Sequence, residues 1–440
     1  MRISVVGTGH VGLVTAACLA HLGHDVLGID QDVEKARVIG RGEIPFHEPG
    51  LLELVRQGLD AGRFRMASAP EEAPRHGEIV FICVGTPSRP SGEANLVFVE
   101  QVSRTVAQNL HGYTVVTEKS TVPVQTGRWV ERTIRLTAAP GTDFDVASNP
   151  EFLREGRAVR DTLEPDRIVV GATSPKALEL LRETYQPILD RARCPFIGTD
   201  LATAELIKHA SNAFLATKIS FANVLADVCE EAGADVQTVV TAMGLDGRIG
   251  PDFLRPGIGY GGACLPKDVR AFTHKMREMG VDAGLLDQVD AVNHTRIDRF
   301  IDRIRSQVRN LEGKRIAIWG LAFKPDTDDL RNAPALGVAT RLAEAGASVV
   351  AHDPVAIPAA KELLPEIAFN TDPYEAARGA ECLVICTEWQ EYAGLDLDRL
   401  RGLMADALVI DGRNLFDPEQ MQRSGFTYAS VGRPTVSGKP

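Results

Sequence analysis

The sequence predicts an α/β protein with two Rossmann-like, doubly wound domains joined by a long central helix and a helical middle domain. Two observations carry this prediction. Strand segments of the first third recur in the last third, and a long segment between them contains neither proline nor glycine. The 440 residues are enough for two or three domains. We place the domain boundaries at residues 1–199, 200–308 and 309–440.

The repeat consists of four strand segments that recur in the same order. Residues 2–7, RISVVG, match residues 315–320, RIAIWG, and each reads as a buried strand that ends in glycine. The other matched pairs are 23–30 with 346–353, 78–84 with 381–386, and 113–117 with 407–411. Strands that alternate with helical stretches predict parallel sheets with right-handed crossovers. The alternative is a chance likeness of unrelated strand–helix units, which four pairs in order disfavour.

Residues 200–232 predict one long helix, because apolar residues recur there at helical spacing. Thr199 or Asp200 can cap its N-terminus, and Gly233 can end it. A helix of roughly 30 residues spans about 45 Å, which is more than one small sheet needs. We therefore expect it to join the two domains, and we expect the apolar helical middle to form a homodimer.

The composition disfavours several classes of protein. The 48 Lys and Arg against 59 Asp and Glu give a net charge of −11, which argues against nucleic acid as a partner. We find no run of about 18 apolar residues and no secretory signal, so we expect no membrane span. Seven cysteines without a CxxC pair and ten histidines without ligand spacing predict no disulfide scaffold, no metal and a reducing cytoplasm. The polar tail after Val431 is expected to fray.

A glycine-rich turn after the first strand predicts a dinucleotide site. Gly7 permits a tight turn, Gly9 lets a pyrophosphate approach the backbone, and Gly12 lets the following helix pack closely. Asp30, at the end of the second strand, would accept bonds from the ribose hydroxyls and repel a 2′-phosphate, which favours NAD over NADP. An FAD site and a purely structural glycine turn are the alternatives.

Two later strands are followed by small polar segments, VGTP at 84–87 and KSTVP at 119–123. Both come at the carboxyl ends of strands, which is the edge where open α/β sheets bind ligands. Either segment alone could be a simple turn.

A cysteine in a glycine loop is the strongest candidate for covalent chemistry. Cys264 follows a glycine run and stands just before a helix start signalled by Pro266. The N-terminus of a helix lowers the pKa of a thiol and favours the nucleophilic thiolate. Asp268 is four residues further on and shares a face with Cys264 if that turn is helical. A buried structural cysteine, the usual alternative, rarely has glycine, lysine and aspartate as neighbours.

Two further segments place polar groups together. Lys208 and Asn212 are four residues apart on the long helix, so an ammonium and an amide point to one side. Residues 149–155, NPEFLRE, bring Glu151 and Glu155 onto a segment that follows a proline break. The alternatives are a solvated helix lysine and two glutamates that act as caps or surface acids.

The C-terminal repeat lacks the remaining phosphate-binding glycines, because Gly320 is followed by Leu-Ala-Phe-Lys. Lys324, Arg331 and Arg413 supply cations where the first domain uses bare backbone. These cations predict a second nucleotide that carries a diphosphate. A degenerate Rossmann domain with surface charges is the alternative.

Taken together, these segments resemble the nucleotide-sugar 6-dehydrogenase family from Met1 to about Pro418. The matching motifs are GxGxVG, VGTP, STVP, NPEFLREG, IKxxxNxxLAxKIS, RIG, GxGYGGxCLPKD, GLAFKPxTDDLR and DGRNLF. His10 and Ala263 stand where the family usually has Tyr and Ser, at positions that should not touch the chemistry. The resemblance implies an NAD-binding domain at 1–199, a dimerisation domain at 200–308 and a UDP-sugar-binding domain at 309–440.

The resemblance also implies a four-electron oxidation of a sugar C6 hydroxyl that uses two NAD per turnover and no metal. The catalytic residues it implies are Cys264 for the covalent intermediates, Lys208 and Asp268 for the hydroxyl proton, Asn212 for the oxygen, Glu151 for the hydrolytic water, and Thr121. The residues implied to contact NAD are Gly7, Gly9, Val11, Gly12, Asp30, Lys35, Thr86, Thr121, Glu155, Lys267 and Arg331.

The sugar nucleotide has its own implied set of contacts. These are Glu151, Phe152, Leu153, Arg154, Glu155, Lys208, Asn212, Phe253, Leu254, Arg255, Pro256, Gly257, Gly261, Lys324 and Arg413, with Arg248 reaching in from the second protomer of a dimer. UDP-glucose is favoured because TEW at 387–389 and DGRNLF at 411–416 look like the UDP-glucose branch.

Other functions stay open at this point. Within the same chemistry, the substrate could be GDP-mannose or UDP-N-acetylmannosamine. A two-electron dehydrogenase of the 6-phosphogluconate type would form one NADH per substrate. A nucleotide-sensing protein without catalysis would bind both ligands and never reduce NAD.

Overall fold

The computed structural model describes residues Met1–Gly438 and divides them into two compact units. Unit 1 contains Met1–Ser211 and Arg270–Val281, and unit 2 contains Asn212–Val269 and the residues from Asp282 onward. The three-way division at 199/200 and 308/309 stays a prediction.

Unit 1 is built on an eight-stranded sheet. Its strands are β1 Arg2–Val6, β2 Asp25–Ile29, β3 Phe64–Ala67, β4 Ile79–Ile82, β5 Thr114–Glu118, β6 Phe144–Ser148, β7 Ile168–Ala172 and β8 Phe196–Thr199. Their order is β3-β2-β1-β4-β5-β6-β7-β8, and every neighbouring pair is parallel except β6 with β7. The inner strands β4 and β5 are buried throughout, as expected for a parallel sheet covered on both faces.

Helices cover this sheet. They are α1 His10–His21, α2 Val33–Gly40, α3 Leu51–Asp60, α4 Ala73–His76, α5 Val97–Gln108, α6 Thr126–Thr137, α7 Ala158–Leu163 and α8 Pro175–Ala192, with a 3₁₀ turn at Pro70–Glu72. Leu13, Leu19 and Leu51 of α1 and α3 are buried with Ile3 of β1 in one core.

The middle of the chain is helical, as predicted. The helices are α9 Leu201–Ala232, α10 Val236–Gly244, α11 Leu265–Glu278 and α12 Gly284–Gln307. Asp200 caps α9 by accepting a bond from the Thr203 amide at 3.0 Å, and Gly233 adopts a φ of 69° just beyond its end. None of the helices within Met1–Gly438 is both long enough and apolar enough to cross a membrane.

Unit 2 contains a seven-stranded sheet. Its strands are β9 Arg315–Trp319, β10 Ser348–His352, β11 Ala368–Phe369, β12 Cys382–Ile385, β13 Leu408–Asp411, β14 Thr427–Ser430 and β15 Val436–Ser437. The helices around it are α13 Pro334–Glu344, α14 Ile357–Leu363, α15 Pro373–Ala377, α16 Gln390–Ala393, α17 Leu397–Leu403 and α18 Pro418–Arg423. The expected fraying of the tail after Val431 was wrong for the part up to Gly438, because β15 pairs antiparallel with β14. The last two residues of that tail, 439 and 440, lie outside the described residues.

The two sheets confirm both the repeat and the predicted fold class. Unit 1 has β3-β2-β1-β4-β5-β6 where unit 2 has β11-β10-β9-β12-β13-β14, so each matched segment occupies the same place in its sheet. This is the strand order of a dinucleotide-binding Rossmann domain. The edge at which each sheet binds ligands therefore lies beyond the carboxyl ends of β1, β4 and β5, and of β9, β12 and β13.

Candidate active site

The turn between β1 and α1 leaves space at one glycine. Gly7 has a φ of 91°, and a Cβ there would lie 2.7 Å from the Cys83 carbonyl oxygen. A Cβ at Gly12 would lie 1.8 Å from the Gly7 carbonyl oxygen, so α1 packs directly on the turn. A Cβ at Gly9 would meet no atom within 4 Å. The open space beside Gly9, at the N-terminus of α1, fits the pyrophosphate of a dinucleotide.

Asp30 closes the same turn from the end of β2. Its carboxylate accepts bonds from the Thr8 amide at 2.9 Å and the Thr8 hydroxyl at 3.0 Å, and it forms an ion pair with Lys35 at 2.5 Å. Burial alone would raise the pKa of Asp30, but bonds from Lys35, Thr8 and Asp32 lower it below the ordinary value. The site therefore offers an ionised acceptor of the kind that binds a ribose hydroxyl in dinucleotide sites.

The segments after β4 and β5 contact each other. The Ser120 hydroxyl donates to the Val84 carbonyl at 2.8 Å, and the Thr86 hydroxyl donates to the Thr121 carbonyl at 3.0 Å. Thr86 and Thr121, both predicted to contact NAD, therefore lie side by side at the ligand-binding edge of the sheet.

Glu151 and Lys208 form a buried ion pair. Glu151 Oε1 lies 3.0 Å from Lys208 Nζ, and both residues are almost wholly buried. The other oxygen, Glu151 Oε2, accepts a bond from the Leu153 amide at 2.7 Å, and the Phe152 ring centre lies 5.3 Å from Lys208 Nζ. The structure thus unites an acid and a base that the sequence places 57 positions apart.

Glu48 holds the segment that follows Glu151. Its carboxylate accepts bonds from the Gly156 amide at 2.7 Å and the Ala158 amide at 2.8 Å. His10 Nε2 lies 2.8 Å from the same carboxylate, which links the dinucleotide turn to this segment. Glu48 was not predicted as a site residue, because nothing in its spacing signals a contact across more than 100 residues.

In unit 2, Cys264 stands directly before α11 and is exposed. The Asp268 amide donates to the Cys264 carbonyl at 2.8 Å, so the first turn of the helix is formed. Asp268 is buried, and its carboxylate accepts a bond from Asn212 Nδ2 at 2.6 Å and pairs with Lys267 Nζ at 2.7 Å. Four predicted site residues, Cys264, Asp268, Asn212 and Lys267, are therefore neighbours in this unit.

The loop before Cys264 is shaped by close backbone approaches. A Cβ on Gly261 would lie 2.3 Å from the Asn332 carbonyl oxygen, and the Gly257 amide donates to Asn223 Oδ1 at 2.8 Å. Phe253 has a φ of 64°, a left-handed conformation that a bulky residue rarely adopts. Such strain clusters at ligand-binding positions, and Phe253 is one of the predicted substrate contacts.

The predicted cations of unit 2 differ in their contacts. Arg331 forms a bidentate ion pair with the carboxylate of Asp329, with two hydrogen bonds of 2.8 Å and 2.7 Å. Arg413 donates to the Cys386 carbonyl and to the Gly259 carbonyl, each at 2.9 Å. The geometry therefore gives Arg413 a part in fixing the loops, and its part in binding a diphosphate stays a prediction.

Arg248 stands apart from the other predicted residues of unit 2. Its side chain is 90% exposed and its guanidinium pairs with Asp246. Lys324 Nζ lies 5.5 Å from the ring centre of its neighbour Phe323.

The buried cysteines contrast with Cys264. Burial raises the pKa of Cys18, Cys83 and Cys386 to about 12, so their thiols stay protonated at neutral pH. No cluster of three or more His, Cys, Asp or Glu within Met1–Gly438 has the arrangement of a metal site.

Three buried ionisable groups near β5 were not assigned from the sequence. Burial raises the pKa of Glu118 to about 8 and lowers the pKa of Lys119 to about 8. Burial also raises the pKa of Glu205 to about 7, although that carboxylate accepts the amides of Gln125 and Gly127. A lysine directly after a buried strand and directly before the segment STVP was the available signal for Lys119.

The fold and these contacts define a dehydrogenase with an NAD-binding Rossmann domain and a second Rossmann domain for a nucleotide ligand. The chain belongs to the UDP-glucose/GDP-mannose dehydrogenase family. Models of its NAD binding domain, central domain and UDP binding domain match residues 1–189, 202–295 and 317–418. The protein is therefore an NAD-dependent oxidoreductase.

Relatives of this chain can be aligned with it over nearly the full length of both proteins. The chain is 45% identical to the UDP-glucose 6-dehydrogenase of Rhizobium meliloti, covering 99% of this chain and 100% of the relative. It is 42% identical to the UDP-glucose 6-dehydrogenase TuaD of Bacillus subtilis, covering 99% and 94%. A solved UDP-glucose dehydrogenase from Pyrobaculum islandicum matches with a TM-score of 0.91 at 36% identity, covering 99% and 98%.

Proposed function

We propose that this enzyme oxidises UDP-glucose to UDP-glucuronate in two NAD-dependent steps through a thioester on Cys264. The observation that carries the proposal is the exposed thiol of Cys264 at the start of α11, next to the bonded group of Asn212, Asp268 and Lys267. A dehydrogenase that stops at an aldehyde or ketone needs no nucleophilic thiol. A helix N-terminus is where a thiolate is stabilised, so the position suits a nucleophile.

In the first oxidation, the C6 hydroxyl of the sugar loses a proton, the C6 carbon loses a hydride, and C6 becomes an aldehyde. NAD, when bound, accepts one hydride in each of the two oxidations. Lys208 and Asp268, together with water, take the hydroxyl proton and stabilise the negative charge that develops on oxygen. Asn212 and Thr121 hold that oxygen in place.

In the second half of the reaction, the Cys264 thiol adds to the aldehyde and forms a thiohemiacetal. Loss of a hydride and a proton from this adduct gives a thioester. Glu151 takes a proton from water as the water adds to the thioester carbonyl, the carbon–sulfur bond breaks, and the Cys264 thiolate is released. The sum is one alcohol, two NAD and one water converted to one carboxylate, two NADH and three protons.

The chain's own residues fit the dinucleotide. The open space at Gly9 and the ionised Asp30 beside Lys35 support NAD as the ligand of unit 1. We propose that Gly7, Gly9, Val11, Gly12, Asp30, Lys35, Thr86, Thr121, Glu155, Lys267 and Arg331 contact it.

The sugar nucleotide is proposed to use a separate set of residues. These are residues 151–155, Lys208, Asn212, residues 253–257, Gly261, Lys324 and Arg413, with Arg248 from a second protomer. The identity of 42–45% to two UDP-glucose 6-dehydrogenases supports UDP-glucose over GDP-mannose and UDP-N-acetylmannosamine.

We also propose a homodimer that forms through α9. Phe214, Phe221 and Val228 follow one another at seven-residue intervals on this helix and are 64%, 49% and 57% exposed. Side chains at this spacing lie on one helix face, and large exposed apolar side chains in a row are typical of an interface. Sedimentation of wild type and Phe221→Asp tests the dimer, and a wild type that sediments as a monomer would contradict it. The seven cysteines without a disulfide support a cytoplasmic location.

The deciding experiment counts NADH formed per UDP-glucose consumed and identifies the product. We expect two NADH and UDP-glucuronate from the wild type, and loss of the complete reaction in Cys264→Ser because a hydroxyl is far less acidic than a thiol. One NADH per substrate would favour a reaction of the 6-phosphogluconate type. Preferential turnover of GDP-mannose would overturn the substrate assignment, and binding without NADH formation would indicate a nucleotide sensor.

A further inference from the structure

We infer that Lys119 is a positioning residue for the hydrolytic step, because its buried ammonium group fixes the backbone that presents Glu151. The inference rests on the proposed function, in which Glu151 activates the water that releases the uronate. Lys119 directly follows β5, and neither the motif pattern nor the mechanism above gives it a role.

The contacts of Lys119 are unusual for a lysine. The residue is only 7% exposed, and its Nζ donates to the Asn149 carbonyl at 3.2 Å and to Asn149 Oδ1 at 3.1 Å. Among the residues from Met1 to Gly438, no carboxylate lies within 4 Å of this ammonium group. Burial lowers the pKa of Lys119 to about 8, so the group is still a cation at pH 7. The ring centre of Phe81 lies 5.9 Å from Nζ. A buried cation held by neutral groups is costly, and packing alone gives no reason to keep it.

The backbone and the side chain of Asn149 are both hydrogen-bonded. Its amide donates to the Glu118 carbonyl at 2.8 Å, and its Nδ2 donates to the Val169 carbonyl at 2.8 Å. The Tyr185 hydroxyl donates to the same Oδ1 that Lys119 contacts. Lys119 is the donor that also holds the main-chain carbonyl of Asn149, so it sets the direction in which the chain leaves this residue.

That direction determines where Glu151 lies. Only Pro150 separates Asn149 from Glu151, and the proline ring fixes φ near −65°. A shift of the Asn149 carbonyl is therefore passed on to Glu151, whose carboxylate must stay 3.0 Å from Lys208. Lys119 and Glu151 also line one cavity of about 60 Å³.

Charge adds to the geometric effect. Lys208 and Glu151 form an ion pair that is neutral in sum, and Lys119 adds a second cation close enough to interact electrostatically with both. The attraction between Lys119 and Glu151 therefore helps to hold the carboxylate in place.

A double-mutant cycle tests the inference. Lys119→Met keeps an unbranched side chain that lacks only the terminal nitrogen position, and it removes both the charge and the donor. We expect kcat to fall about 10-fold to 100-fold, less than the full contribution of a positioned base, with the KM for NAD within about twofold. In a Glu151→Gln background the same change should cost less than about threefold, because the residue on which Lys119 acts is already disabled.

Two further variants keep the test decisive. Lys119→Gln retains an N–H donor and serves if Lys119→Met does not fold, and it should show the same non-additivity with Glu151→Gln. Tyr185→Phe removes the other donor to Asn149 Oδ1 without changing charge, and we expect it to lower kcat less than about threefold. Thermal unfolding of each variant reports on the fold.

An equal loss from Lys119→Met in both backgrounds would show a merely structural role and overturn the inference, as would no loss at all. The proposed function fails separately. It is wrong if the wild type does not form two NADH per UDP-glucose, and its assignment of Glu151 is wrong if Glu151→Gln keeps full kcat. The assignment of Lys119 then falls with it.

Discussion

The two Rossmann sheets carry the same turn after their first strand and use it differently. Gly7 and Gly320 have φ values of 91° and 90°, and each second strand leads to an aspartate, Asp30 or Asp353. In unit 1, α1 begins at His10, three residues after the glycine. In unit 2 the next helix, α13, begins at Pro334, so no helix N-terminus follows the turn.

The two aspartates show what this difference means. Asp353 is 2% exposed, and its carboxylate accepts the amides of Leu321, Ala322, Val355 and Ala356 together with Trp389 Nε1. Asp30 likewise accepts the Thr8 amide of the first turn, so the contrast lies at the next position. There the Ala322 amide is bonded to Asp353, whereas a Cβ at Gly9 would meet no atom. One turn is open to a pyrophosphate and the other is closed by its own carboxylate, so unit 2 needs cationic side chains to hold a diphosphate.

The largest effect is expected from exchanging the two carboxylates for amides. Asp353→Asn should lower the free energy of unfolding by about 3 kcal/mol, because five donors lose a charged acceptor and four of these bonds are buried. Asp30→Asn should cost about 1 kcal/mol, since fewer donors depend on it. Urea unfolding followed by tryptophan fluorescence measures both, and Trp319 and Trp389 report on unit 2. Equal losses would contradict the contrast between a closed turn and an open one.

A side chain at the open position should block the dinucleotide without harming the fold. Gly9 has φ −70° and ψ −166°, which valine tolerates, and a Cβ there meets no atom. We expect Gly9→Val to raise the KM for NAD about 100-fold, or about 2.7 kcal/mol, with an unchanged thermal midpoint. The matched position of unit 2 already carries a Cβ, and the control Ala322→Gly should leave this KM within about twofold. If Ala322→Gly changed the KM for NAD and Gly9→Val did not, NAD would bind to unit 2 and the prediction would be wrong.

Sequence patterns predicted those features that depend on local spacing. Four matched segments predicted both sheets, and the segment from Asp200 to Gly233 predicted α9 with its cap and its end. The pattern could not predict that Glu48 binds the Gly156 amide or that Arg413 binds loop carbonyls, because such contacts join residues far apart in the chain. It also missed β15, since a two-residue strand takes its stability from the pairing partner β14.

A further contrast concerns the choice of dinucleotide. Asp30→Asn removes the charge that repels a 2′-phosphate and leaves Lys35 without its ion-pair partner. We expect the KM for NAD to rise about 10-fold, or about 1.4 kcal/mol, and the preference for NAD over NADP to fall by a similar factor. Asp25→Asn, the same change at the opposite end of β2, is the control and should alter neither value. If Asp30→Asn kept the preference for NAD over NADP, the Asp30 carboxylate would not be the group that distinguishes the two riboses.

The two units also differ in how they bond the carboxylate at the end of an inner strand, Glu118 in β5 and Asp411 in β13, and this difference bears on how stability depends on pH. Asp411 at the end of β13 accepts the amides of Arg413, Leu415 and Phe416 and the Tyr428 hydroxyl. Glu118 at the end of β5 accepts the Ser120 amide at 3.0 Å with one oxygen, while its other oxygen is buried without a partner in the described part of the chain. Burial raises the pKa of Glu118 from 4.5 to about 8.

Because Glu118 is protonated in the folded protein and ionised in the unfolded chain between these pH values, its contribution to stability falls as the pH rises toward 8. Glu118→Gln does not titrate, so its free energy of unfolding relative to that of the wild type should rise as the pH is raised from 5 to 8. The control Thr117→Val, on the same strand, should keep a constant offset from the wild type. Urea unfolding at each pH measures these differences. Parallel pH curves for Glu118→Gln and the wild type would mean that Glu118 is ionised in the fold and finds a partner that its neighbours in β5 do not provide.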